Sequence, residues 1–125
     1  MSFKIDGKLS SIKLYIIATD TEIQSVGMCG IKADEDVHQT VVEYITRANY
    51  GLKIGKFEFD YDDGDVRYHS TLSCKDAVPS HQDVERVVDC PFMMFNRYGN
   101  GLVKALMGFG DPEADIAMAE GQQNG

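Results

Sequence analysis

Cysteine is scarce in this 125-residue sequence, which contains three: Cys29, Cys74 and Cys90. Their spacing includes no C-x-x-C pair, so it indicates neither a disulfide framework nor a zinc ribbon, and we predict reduced, mostly buried thiols. Long hydrophobic runs are also missing, because no apolar stretch reaches the roughly 18 residues that a membrane-spanning helix needs. The first seven residues lack the basic and then apolar profile of a signal peptide. We therefore expect a cytoplasmic protein that does not contact the membrane.

Positive charge is in the minority. Lys and Arg together number 12 against 20 Asp and Glu, which gives a formal net charge of -8. Proteins hold nucleic acid chiefly through Lys and Arg side chains that neutralise phosphates, so this balance argues against nucleic-acid binding. A solvated, solubilising surface explains the acidic excess without any ligand.

Motifs for catalysis, cofactors or metals are missing as well. The acidic stretch 60–65 superficially resembles a calcium loop, but counting from its first residue puts Gly64 fifth rather than sixth and Thr71 at the twelfth position, where a Glu is needed. His69 and Cys74 would point to opposite faces of one strand, so they cannot form a nucleophile and base pair. We predict no catalytic residue, no cofactor and no metal ligand, and therefore no enzyme.

Length and hydrophobic content fit a single domain. With 125 residues, 43% of them hydrophobic, the chain can build one core of ordinary size. We predict one domain over residues 1–120. The polar end of the chain, residues 121–125, is predicted to be a disordered tail.

The spacing of hydrophobic residues predicts three strands and then a helix in the first part of the chain. The strands fall at residues 3–5, 12–18 and 23–31, where hydrophobic side chains alternate with polar ones. At Ala33 the spacing becomes helical, and acidic residues occupy the first turn of the predicted helix. Gly51 is placed to end that helix.

A β-hairpin is predicted over residues 55–73, because Asp63 and Gly64 lie between two alternating runs. If these two residues form the whole turn, Tyr61 faces Val66 and the aromatic residues of both strands share one side of the sheet. The complete pattern predicts an α+β fold. Its antiparallel five-stranded sheet has the element order β-β-β-α-β-β-α, with helices packed on it.

Two helix starts are marked by capping residues. Ser80 can accept a hydrogen bond from the amide of Asp83, which predicts a helix over the residues that follow. Asp111 and Pro112 read as the cap and the first residue of a short final helix.

Pro91 and two glycines interrupt the helical pattern between these starts. Proline lacks an amide proton and crowds the carbonyl four residues earlier, so we expect either a kink or two consecutive helices. Gly99 and Gly101 lower helix propensity in the second half. Either the helix breaks there, or it packs closely against another element that needs the space.

The stretch Phe92, Met93, Met94 and Phe95 is too hydrophobic for one narrow helical stripe. Phe92 and Phe95 can face the core and leave Met93 or Met94 for a second surface. Full burial within one chain is the simpler interpretation. We take these four residues as a candidate protein-contact surface.

Four segments carry a resemblance to a known family. They are Glu43–Leu52 (EYITRANYGL), Gly55–Asp60 (GKFEFD), Asp63–Tyr68 (DGDVRY) and Met94–Gly101 (MFNRYGNG). In combination they resemble the YbjN-like family of proposed bacterial sensory transduction regulators, over about residues 3–120. The family is similar in fold to type III secretion chaperones, and its members usually form homodimers, so the resemblance implies a protein-binding or regulatory role. It brings no established biochemical activity.

One difference from the family bears on assembly. Family members usually begin with a helix before the first strand, whereas here a strand is predicted almost directly at Phe3. Either that helix lies upstream, or the sheet face that it would cover is exposed. An exposed apolar sheet favours self-association, so we predict a homodimer.

The leading functional hypothesis is a non-enzymatic, chaperone-like or regulatory module that binds an unidentified protein partner. The partner would bind along a sheet edge or on the helical surface near Met93 and Met94. The alternative is a small-molecule-binding sensor or an enzyme whose site is not visible in the sequence.

Overall fold

The computed structural model describes residues 2–5 through their backbone and residues 12–121 in full. The strands are β1 (Ser2–Ile5), β2 (Ile12–Ala18), β3 (Glu22–Cys29), β4 (Lys56–Phe59) and β5 (Val66–Ser73), and the helices are α1 (His38–Asn49), α2 (His81–Leu106) and α3 (Pro112–Gly121). A 3₁₀ turn at Glu35–Val37 precedes α1.

The strands described form one antiparallel sheet in the order β1-β2-β3-β5-β4. Helix α2 packs across β3 and β5, and α1 and α3 complete a helical layer on the same face. The predicted α+β class, with helices packed on an antiparallel sheet, is confirmed. Of the predicted tail, Gly121 ends α3 and residues 122–125 lie outside the described part.

Helix α2 runs unbroken through Pro91, so of the two alternatives, a kink or two consecutive helices, the second is excluded. The proline cannot donate to the carbonyl of Val87 four residues earlier, and its ring crowds that carbonyl. The sheet supplies the missing donor, because the Ser70 hydroxyl donates to the Val87 carbonyl at 2.8 Å. Next to it, the Ser25 hydroxyl donates to the carbonyl of Val88 at 3.1 Å. Two buried serines on neighbouring strands therefore donate to consecutive carbonyls of α2, and the one that donates to Val87 replaces the donor that Pro91 lacks.

Close packing also explains the glycine in the second half of α2. A Cβ on Gly101 would lie 2.6 Å from Cζ of Tyr44, a buried residue of α1, so only glycine admits the tyrosine ring. The Tyr44 hydroxyl then donates to the carbonyl of Tyr98 at 2.6 Å. Of the two alternatives, close packing against another element is correct, and the partner element is α1 of the same chain.

The hairpin register is shifted by two residues from the predicted one. Phe59 pairs with Val66 and Phe57 with Tyr68, whereas the prediction placed Tyr61 opposite Val66. A two-residue shift keeps every side chain on its face, so the aromatic side of the hairpin was predicted correctly. The error lies in the turn, which spans residues 60–65 instead of two residues.

The β4 edge of the sheet is closed by a side chain. The Asn49 amide, at the end of α1, accepts from the Phe57 N–H at 2.8 Å and donates to the Phe57 carbonyl at 2.9 Å. A neighbouring strand would use the same two backbone groups. Asn49 therefore takes the place of a strand, and the β4 edge does not suit the strand addition considered from the sequence.

Candidate functional site: the open sheet face and its acidic groove

The candidate contact surface from the sequence is divided between core and solvent. Phe95 lies in the core, with its ring centroid 5.5 Å from that of Phe57. Phe92 and Met94 are half-buried, and Met94 packs against the core. Met93 is 58% exposed. The solvent-facing part of this stretch is therefore centred on Met93.

The sheet face opposite the helices is a second surface, which the sequence reasoning expected only in general terms. Within the described residues no helix packs on it, and Tyr15 and Ile17 on β2 are 41% and 47% exposed. The register places Val26 of β3 beside Tyr15 and places Met28 beside Lys13. A solvated face of an antiparallel sheet is usually polar, so these apolar side chains are unusual at its outward positions.

The other half of this open face is polar and internally paired. The Glu58 carboxylate accepts from Nε of Arg67 at 2.6 Å, directly across the hairpin. His69 lies on the same face, with Nδ1 3.5 Å from Glu58 Oε1 and Nε2 2.9 Å from the Gln24 side chain. These pairs connect β3, β5 and β4, and each contributes on the order of 0.2–1 kcal/mol.

The turn at residues 60–65 stands at one end of the open face and is built by its own aspartates. The Asp60 carboxylate accepts from the Asp62 amide and the Asp63 carboxylate from the Asp65 amide, at 2.8 and 2.9 Å. Gly64 has φ +76, and its carbonyl accepts from the Ala33 amide at 2.8 Å. Any Cβ at Gly64 would overlap the Ala33 backbone. The turn is therefore fixed both locally and from outside.

A groove of about 440 Å³ runs between this turn and the sheet, and we call it the acidic groove. It is lined by Met28, Glu58, Phe59, Asp60, Tyr61, Asp63, Asp65 and Arg67. A second groove of about 400 Å³ lies on the side of β2 and shares Met28, Asp63 and Asp65 with the first. Lys13 and Lys32 line that second groove, so it is electrically balanced where the acidic groove is not.

Asp65 is the most enclosed carboxylate of the acidic groove. It is only 9% exposed, and no ion pair with it occurs among the described residues. Burial is the main reason that the pKa of Asp65 lies above its usual value, and the charge of Asp63 raises it further. In contrast, the pKa of Asp63 is lowered, mainly because its carboxylate accepts from the backbone N–H of Asp65. The ammonium of Lys32, 3.4 Å away, lowers it further.

The histidines and cysteines form no reactive pair. His38 is half-buried, with its ring edge-on to Phe59 at 4.9 Å. Burial raises the pKa values of the Cys29 and Cys90 thiols, which disfavours the reactive thiolate. Across the described ranges, no group of three or more His, Cys, Asp or Glu side chains could hold a metal ion. Nor does any helix there have the length and apolarity needed to cross a bilayer.

A protein-family model matches residues 3–103, which is most of the chain. The matching model is YbjN, described as "Putative bacterial sensory transduction regulator". The chain belongs to the YbjN family. The family predicted from the residues is thus confirmed, while the likeness in fold to type III secretion chaperones stays a prediction. No curated protein matches the chain.

The groove was missed from the sequence although a signal for it existed. The stretch 60–65 holds four aspartates in six residues, and from the sequence we assigned only Asp63 and Gly64 to the hairpin turn and rejected a calcium loop. Two of them, Asp60 and Asp63, do cap the turn. The turn does not use the side chains of Asp62 and Asp65 in this way, and these two additional aspartates were the available signal.

Proposed function

We propose that this YbjN-family protein is a non-enzymatic regulatory module that binds another protein. The observation that supports this most directly is the open sheet face, which carries exposed apolar side chains at Tyr15 and Ile17. Exposed apolar area with a polar rim is typical of surfaces that contact other proteins. The family description agrees with regulation and names no catalysis.

We further propose that the protein acts as a homodimer through the apolar end of this face. Ile17 lies four residues along β2 from Lys13, or about 13 Å at the rise of a β-strand. Lys13 stands in the register row of Met28 and Arg67, which border the acidic groove. A two-fold contact centred on Ile17 can therefore bury the apolar end and leave the acidic groove free for a partner.

The surface around Met93 is the second proposed contact region for the partner. It lies on α2, on the helical layer, and so does not compete with a dimer formed through the sheet. Methionine suits such contacts because its side chain is flexible and polarizable.

The partner is tested by affinity capture from the native lysate, followed by mass spectrometry. The wild-type chain is compared with Ile17→Lys and Met93→Lys, and with Val78→Lys as a control, because Val78 is 95% exposed in a loop. We expect a reproducible polypeptide that is retained by the control and lost with one of the first two variants. The proposal fails if no polypeptide is captured and a metabolite raises the melting temperature instead.

The dimer is tested separately by light scattering after size-exclusion chromatography. We expect twice the chain mass for wild type and for Met93→Lys, and a shift to the single-chain mass for Ile17→Lys. A wild-type protein that stays at the single-chain mass at high concentration refutes the dimer.

A further inference from the structure

The acidic groove holds more negative charge than its own cations neutralise. Four carboxylates line it, from Glu58, Asp60, Asp63 and Asp65, and Arg67 is the only basic residue among its lining. Arg67 is already committed to Glu58 at 2.6 Å. The three aspartates of the turn therefore face the groove with a net excess of negative charge.

These aspartates differ in how far the protein satisfies them. Asp60 and Asp63 each accept a backbone amide of the turn, and Asp63 also has Lys32 nearby at 3.4 Å. Asp65 forms no ion pair among the described residues although it is only 9% exposed, and the attraction of Lys32 and the amide of Val66 only partly offset its burial. Burying a charge that is only partly compensated opposes folding. The position of Asp65 is explained if a cation from a bound molecule pairs with its carboxylate.

The apolar lining of the groove limits what that cation can be. Met28, Phe59 and Tyr61 line it together with the carboxylates, and the Phe59 and Tyr61 rings meet edge to face at 5.0 Å. Arginine has an apolar stem and a planar cation that stacks on aromatic rings and binds carboxylates through two N–H groups. Its side chain matches both halves of the lining.

We propose that the acidic groove binds an arginine side chain of a partner polypeptide, held between Asp65 and the aromatic residues Phe59 and Tyr61. This inference rests on the proposed function, since it assigns the chemistry of the protein partner. The net charge of -8 attracts a basic segment from a distance, and the groove then selects one side chain at short range. The adjoining apolar residues Met28 and Tyr15 favour apolar residues on either side of the arginine.

The test is a titration of isotopically labelled protein with a synthetic pentapeptide that alternates leucine and arginine, followed by NMR. We expect the largest amide shifts at residues 58–67 and in β3 next to Met28. Replacing arginine by glutamate in the peptide should abolish these shifts. Equal binding of the two peptides, or shifts confined to other surfaces, overturns the proposal.

Two variants separate the groove from general charge attraction. Asp65→Asn and Asp62→Asn remove the same charge from the same turn, but Asp62 is exposed and lines neither groove. We expect Asp65→Asn to weaken the peptide about tenfold, the effect of one charge-assisted hydrogen bond, and Asp62→Asn to weaken it less than twofold. Equal losses in both variants show attraction without a site and refute the proposal.

The result is also distinguishable from failure of the proposed function. If the natural partner binds Asp65→Asn as well as it binds wild type, the groove assignment is wrong while protein binding stands. If no partner is captured but the arginine peptide binds at Asp65, the groove assignment stands and the regulatory role is lost.

Discussion

The interaction between Ser70 and the proline-containing turn of α2 can be measured, because the carbonyl of Val87 is the nearer of the two acceptors of the Ser70 hydroxyl, at 2.8 Å against 3.4 Å for the carbonyl of Ser25. Ser70 is fully buried on β5, and its hydroxyl donates at 2.8 Å to the carbonyl of Val87, which Pro91 cannot reach with an N–H. Ser70→Ala leaves this buried carbonyl without a donor. The expected loss of unfolding free energy is roughly 1–3 kcal/mol.

The magnitude depends on the proline, and this dependence is the decisive part of the prediction. Pro91→Ala restores a backbone N–H at position 91, which can donate to the Val87 carbonyl within the helix. When alanine is at position 91, Ser70→Ala removes one of two donors to the Val87 carbonyl. We therefore expect its loss of unfolding free energy to be about 1 kcal/mol smaller than with proline at that position. A double-mutant cycle of these two substitutions cancels any direct effect of Pro91→Ala, such as the loss of packing between Pro91 and Gly27.

Urea unfolding of the wild type, both single variants and the double variant gives the coupling energy. Ser73→Ala serves as the control, because Ser73 is exposed on the same strand and should change stability by less than about 0.5 kcal/mol. If Ser70→Ala costs the same with proline and with alanine at position 91, the serine does not replace the missing donor and the explanation is refuted.

Two further predictions concern the β4 edge and the last helix. Asn49→Ala removes both hydrogen bonds to Phe57 and should cost about 1–3 kcal/mol in urea unfolding, with concentration-dependent light scattering because the strand edge is opened. Burial would raise the pKa of Asp115, but the amide of Asp111 and the ammonium of Lys104 at 2.9 Å lower it overall. The ionised form of Asp115 therefore stabilises the fold above the unfolded pKa of about 4, and this contribution is lost as pH falls through the lower folded pKa. The variant Asp115→Asn lacks this contribution. Between pH 5 and about pH 2 it should therefore lose less unfolding free energy than wild type does.

The features that the sequence predicted well are those with local causes. The Ser80 hydroxyl accepts from the amide of Asp83 at 3.1 Å, and the Asp111 carboxylate accepts from the amide of Ala114 at 3.3 Å. In both cases the donor and the acceptor are three residues apart, so spacing alone reveals them. The alternation of strands and the amphipathic spacing of α1 are local in the same sense.

The features that failed depend on contacts distant in sequence. Nothing near Pro91 indicates that a serine on β5 will satisfy the opened helix, because Ser70 is 17 residues from Val87. The hairpin register failed for a related reason. Gly64 adopts positive φ while its carbonyl accepts from Ala33, and this anchor selects the longer turn over the two-residue turn that Asp63 and Gly64 suggest.

The aspartates of the turn show why composition could not locate the groove. Asp60 and Asp63 shape the turn and Asp62 faces solvent, whereas Asp65 is enclosed beside the sheet. All four have the same chemistry in the sequence, and only the path of the chain separates them. A charge kept for solubility would gain nothing from burial, because solvation is what makes it useful. Burial and the neighbouring Asp63 outweigh the attraction of Lys32 and the amide of Val66, so the pKa of Asp65 is raised and its charged form is disfavoured. An external cation therefore explains its position better than solubility does.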